Sequence, residues 1–170
     1  HGDYDPYFFD DGFLVMANSL SYQKDPNRRT YLPFSLLKNI IDNLPPNQIL
    51  LLVDVCFGGA FDTKISQGSK RSSNAMYEDV SLERMLKEKL KLKTRIVLSS
   101  GSLNEVPDGF MGKNSPFTSK IAHCLLTGGG DKKVLTTAQL FEFVQWLPSK
   151  PLKGELMGNE AGSEFFLIAR

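Results

Sequence analysis

The segment Gln48-Ile49-Leu50-Leu51-Leu52-Val53-Asp54-Val55-Cys56-Phe57-Gly58-Gly59 joins an aliphatic run to a cysteine and a glycine pair. From Gln48 to Val55 the run is compact and hydrophobic, the pattern of a strand buried on both faces. Upstream, Leu36, Leu37, Ile40, Ile41 and Leu44 have helical spacing within Leu32 to Leu44, and Pro45-Pro46 stops that helix. Before it, Asp11-Gly12 reads as a turn leading into a short strand, Phe13-Leu14-Val15-Met16, and polar residues 17–30 read as a loop. Downstream, residues 81–92 form a charged amphipathic pattern, and Arg95 to Ser99 reads as a second buried strand. It runs into a Ser- and Gly-containing loop, Ser100 to Gly112. Ser115-Pro116 opens a helix through Leu126 that Gly128-Gly129-Gly130 closes. Another helix is expected at about 136–147, capped by Thr136 or Thr137, and a final strand at Glu164 to Ala169. Strands alternating with helices predict an α/β sandwich with a mainly parallel sheet.

The 170 residues suit one domain, 1–170, and no internal repeat is present. A formal charge of +1 argues against a nucleic-acid or membrane-surface protein. The longest aliphatic run, Ile49 to Val53, falls far short of the roughly 20 residues of a membrane span. Two cysteines, Cys56 and Cys124, make no disulfide scaffold, which predicts a reducing, cytoplasmic location. His123 and Cys124 are neighbours in sequence while His1 and Cys56 lie far off, so no zinc-chelating spacing exists. The chain opens at His1 without an initiator Met, as expected of a fragment, a processed product or a cropped domain. Residues 62–79 hold only Ile65, Ala75, Met76 and Tyr77 as apolar residues and read as a polar loop.

In open parallel α/β sheets functional groups gather at the carboxyl ends of strands, which is where Cys56 is expected. The bland alternative is a buried structural cysteine. His1-Gly2 adds a base beside a glycine, and glycine lets a carbonyl oxygen approach the backbone N–H. His123 and Cys124 are i,i+1 neighbours on a helix and do not face each other, so they form no dyad. Trp146 and the pairs Phe141/Phe143 and Phe165/Phe166 read as core, and Lys87 to Arg95 as a solvated face. Along a strand, alternate positions share a face, which sets Asp54 on the side of Cys56. A carboxylate there needs a partner or a functional role, and both readings stand.

The ordered set His1-Gly2, Asp11-Gly12-Phe13-Leu14-Val15 and Asp54-Val55-Cys56-Phe57-Gly58-Gly59 resembles the caspase-like cysteine peptidases. It is closer to metacaspases and prokaryotic caspase-like proteases than to animal caspases. Leu98-Ser99-Ser100-Gly101-Ser102 and Ser115-Pro116-Phe117-Thr118 extend the resemblance over nearly the whole chain. Two departures stand out: animal caspases carry Gln before Ala-Cys where this chain has Asp54-Val55, and the family's strands upstream of the histidine are absent. The resemblance implies a caspase-like three-layer α/β/α sandwich completed by an N-terminal fragment or upstream segment.

It also implies a cysteine endopeptidase with a Cys56–His1 dyad and an oxyanion held by the N–H groups of Gly2 and Cys56. Asp54 and Ser100 would bind substrate, with Asp54 the floor of a pocket for Arg or Lys. Residues 62–79, carrying Lys64, Lys70 and Arg71, would be a processing loop. No metal or organic cofactor is required. Calcium activates some metacaspases, but Asp3, Asp5, Asp10 and Asp11 lack EF-hand spacing and read as a solvated acidic loop. The competing expectations are a catalytically inactive caspase-like interaction module and an α/β-hydrolase, the latter lacking a Gly-x-Ser-x-Gly elbow.

Overall fold

The computed structural model describes residues 1–7, 9–58, 81–102, 106, 109, 113–128 and 133–168, so the expected processing loop at 62–79 lies outside the described residues. In chain order the elements are β1 (Gly2–Asp5), β2 (Asp11–Leu14), β3 (Leu32–Pro33), α1 (Phe34–Asp42), β4 (Gln48–Val53), α2 (Leu82–Lys91), β5 (Thr94–Ser99), α3 (Pro116–Thr127), β6 (Val134–Thr136), α4 (Thr137–Val144), β7 (Leu152–Glu155) and β8 (Phe166–Ile168). The protein is therefore mixed α/β. Among the described residues, no helix is long and apolar enough to cross a membrane.

β4 and β5 pair in parallel, from Gln48 opposite Thr94 to Val53 opposite Ser99. The expected mainly parallel sheet is not what forms, because the other pairings among the described residues are antiparallel. β7 runs against β5, and β1-β2-β3 and β6-β8 are small antiparallel sheets. The chain order explains the reversal. Two helices, not one, separate β5 from β7, so the chain re-enters beside the end of β5, with Leu152 opposite Ser99, and runs back.

Alternation along the central strands splits the core in two. Ile96 and Leu98 face α3 and α4, packing with Phe117, Ile121, Cys124, Leu140 and Val144. Val53 and Val97 face α1, packing with Phe34 and Ile41. β5 is buried throughout, as expected. β4 is not buried on both faces: it ends at Val53, and Leu52 is 42% exposed. Its position explains the difference, because β4 lies at the end of the sheet order β4-β5-β7 and among the described residues pairs only with β5.

Helix ends follow their capping residues. Ser115 accepts the Thr118 N–H at the start of α3, with Pro116 in its first turn. Thr136 and Gln139 form a reciprocal capping box on α4. α4 stops at Val144, short of the expected 147, and this leaves Trp146 outside the buried stripe, 85% exposed instead of in the core. Phe143 also lies on the exposed side, whereas Phe141 and Phe165 pack against the core. α2 presents the exposed ion pairs Lys87–Glu83 and Lys91–Glu88.

Arg95 departs from the expected solvated face: it belongs to β5 and is fully buried. Its Nη1 donates to the carbonyls of Asn47 (2.9 Å) and Thr94 (3.0 Å), and its Nη2 to that of Leu44 (3.0 Å). The guanidinium thus closes the chain between α1 and β4, supplying donors to carbonyls that Pro45-Pro46 cannot serve. Arg95→Ala strands these acceptors and opens a void, so stability should fall by about 3 kcal/mol. Urea unfolding monitored by circular dichroism measures it as a lower midpoint at an unchanged slope.

Candidate active site

Of the two residues His1 and Gly2, it is Gly2 that meets Cys56. His1 and Val15 form a hydrogen-bonded pair, with the Val15 N–H donating to the His1 carbonyl at 2.9 Å. Gly2, opposite Leu14, is therefore a non-hydrogen-bonded position, and its N–H turns away from β2. The Gly2 backbone lies directly against Cys56. A β-carbon on Gly2 would fall 1.9 Å from the Cys56 carbonyl oxygen and 3.2 Å from its backbone nitrogen. No side chain fits there, which is a physical reason for glycine after the histidine. Cys56 itself is half-buried, and its Sγ faces the Val106 carbonyl at 3.9 Å.

The acidic segment is not a solvated loop. Arg28 donates through Nε to Asp3 (2.6 Å) and through Nη1 to Asp5 (2.8 Å). Ser35 donates its hydroxyl to Asp11 (2.6 Å) and Tyr4 its hydroxyl to Asp10 (2.6 Å). That bond to Asp10, with some burial and the nearby carboxylates, holds the Tyr4 phenol above its usual range. The sequence carried no signal for these pairings, because Arg28 lies in a loop more than twenty residues from Asp3 and Asp5.

β4 ends at Val53, so strand alternation does not extend to Asp54 and Cys56. Both nonetheless adjoin Val106. Asp54, Ser100, Val106, Ser115, Phe117 and Leu147 line a cavity of about 110 Å³. Within it Asp54 Oδ2 accepts the hydroxyls of Ser115 and Thr118 in the first turn of α3. Side-chain hydroxyls thus give Asp54 the hydrogen bonds that a carboxylate in an apolar setting needs, and this leaves both readings of Asp54 standing. Ser100 donates to the Val55 carbonyl (3.3 Å), one residue before the cysteine, and its own carbonyl accepts Ser149 Oγ (2.6 Å). Ser115-Pro116 is legible as a helix start; its bond to Asp54, 61 positions away, is not.

The volume suits a side chain, since small-molecule sites span about 300–1,000 Å³. Larger clefts lie elsewhere among the described residues, about 430 Å³ beside Lys38 and Asp42, about 410 Å³ beside Lys120 and Trp146, and about 740 Å³ beside Phe9 and Arg28, and none of these is lined by a cysteine. Cys124 is fully buried in the core, and burial pushes its thiol up. His123 stands against Phe143, with ring centroids 6.2 Å apart.

Gly2→Ala should drive β1 off the Cys56 turn, with a loss of about 1–3 kcal/mol from overpacking. Thermal unfolding reads it as a lower midpoint. In comparisons with known proteins, no family model, curated protein or solved structure matches this chain.

Proposed function

We propose that the chain is a caspase-like cysteine endopeptidase domain that cleaves after Arg or Lys. One observation carries the reading: the Gly2 backbone packs on that of Cys56 in a contact that only glycine permits, and His1 is the residue that precedes this glycine. Helices on both faces of the β4-β5-β7 sheet agree with a three-layer α/β/α sandwich. Two free cysteines agree with a reducing compartment such as the cytoplasm.

In this reading the Cys56 thiolate attacks the scissile carbonyl carbon. The developing oxyanion takes the N–H groups of Gly2 and Cys56, the former already turned out of the β-ladder. His1 as imidazolium gives its proton to the leaving amine, and the C–N bond breaks to leave a thioester on Cys56. His1 then takes a proton from water as the water attacks the thioester, and the Cys56 thiolate leaves. The substrate's basic side chain enters the cavity that holds Asp54. Ser115 and Thr118 orient that carboxylate without neutralising it, since hydroxyl donors bring no charge.

Cys56→Ala and His1→Ala should each abolish turnover of fluorogenic peptides ending in Arg or Lys, while Cys124→Ala retains it. A peptide chloromethyl ketone with Arg before the reactive carbon should label Cys56. Absence of the adduct in folded protein would favour the inactive interaction module.

Asp54→Ala should lower turnover of basic substrates about a hundredfold or more, since removing one partner of a buried charge pair costs about 3–5 kcal/mol. A peptide library varied at the residue before the cut checks the preference. Cleavage after Asp instead would reject the pocket assignment and leave the dyad standing.

A further inference from the structure

We propose that Tyr4 and Phe57 are positioning residues, whose stacked rings hold the turn bearing Cys56 against the strand bearing His1 and Gly2. This rests on the dyad reading. Phe57 has φ +60°, a left-handed conformation that bulky side chains rarely adopt. Such strain persists where the surroundings over-determine it, and here it falls on the residue following the cysteine. The Phe57 ring stacks on Tyr4, with centroids 6.2 Å apart and planes 21° apart.

The two contacts between these segments run in step. Gly2 and Tyr4 are alternate residues of β1 and present the same face. Gly2 meets the Cys56 backbone, and Tyr4 meets the next residue, Phe57. The first contact is a close approach that permits no side chain and supplies no grip of its own. The second supplies apolar area and a preferred ring geometry. Tyr4 is held at its far end as well, because its hydroxyl donates to Asp10 (2.6 Å) in the turn between β1 and β2. Hairpin turn, Tyr4 ring, Phe57 ring and Cys56 backbone thus form one chain of contacts. Without the rings, no side-chain contact holds residue 57 to β1, and the Cys56 turn moves off Gly2. The Asp54 cavity, anchored on α3 through Ser115 and Thr118, stays in place.

The role therefore predicts a loss in kcat and not in KM. Tyr4→Ile removes the ring from one side and suits a strand. Phe57→Gly removes it from the other and accepts positive φ without strain, so it serves if Tyr4→Ile does not fold. Each should lower kcat on an Arg-ending peptide about tenfold or more, with KM within about twofold of the unmutated enzyme. Iodoacetamide alkylation of Cys56 against pH, located by mass spectrometry, should shift its midpoint toward that of His1→Ala. Tyr4→Phe keeps the ring and should restore both readouts.

Unchanged kcat and midpoint in Tyr4→Ile and Phe57→Gly, or a loss confined to KM, would overturn the positioning role. The His1→Ala arm separates the two failures. If it leaves the alkylation midpoint of the native protein unmoved, the dyad falls and the positioning role with it. If it moves the midpoint while the ring variants do not, only the positioning role falls.

Discussion

The candidate site depends on a backbone meeting a backbone. Gly2 lies so close to the Cys56 carbonyl that no β-carbon fits between them. Two strands from different sheets deliver these residues: β1 belongs to an antiparallel hairpin, and the cysteine follows a strand of the partly parallel sheet. Hydrogen-bond register then decides what each backbone group can do. Because His1 and Val15 satisfy each other, the Gly2 N–H is released from the ladder on the side away from β2. A donor left over by register is preorganised at no cost in reorganisation, which is what stabilising a developing negative charge requires.

Around that contact the polar groups are arranged in pairs that leave little freedom. Arg28 gathers Asp3 and Asp5 beneath β1 and lies over the rings of Phe13 and Tyr22, so the hairpin is braced by charge and by aromatic packing together. Asp54 is braced from the other side by α3. Ser115 has two tasks there, accepting the Thr118 N–H as a helix cap and donating to Asp54. The start of α3 and the end of β4 are consequently tied through two hydroxyls, those of Ser115 and Thr118. Phe57 holds a left-handed φ, and its ring partner belongs to the β1-β2 hairpin and not to the β4-β5-β7 sheet.

The core does a different job from the site. Its two apolar clusters are divided by the alternation of β4 and β5, and neither includes Cys56. Cys124, by contrast, is packed into one of them, away from solvent, with its thiol pushed up by burial. The same residue type is thus a filler at one position and a half-exposed group at a strand end at the other. That difference is set by helix and strand geometry, not by the chemistry of cysteine.

The linear sequence determined the elements whose cause is local. β5, α1, α3 and α4 follow from hydrophobic spacing and from caps such as Ser115, Pro116 and Thr136, all of which act within one or two helical turns. The position of Cys56 after an aliphatic strand, and of Gly2 after His1, was legible for the same reason. Only the tertiary structure decided what distant residues do to one another. It turned β7 antiparallel by routing two helices before it. It left β4 half-covered at the end of its sheet among the described residues, buried Arg95 against three carbonyls, and exposed Trp146 by ending α4 early. It paired Asp54 with Ser115 and Thr118, and Tyr4 with Phe57, across separations over which periodicity and propensity carry no information. Local rules reach about one turn or one hairpin along the chain, whereas a cavity or a contact between two sheets exists only when the chain has closed on itself.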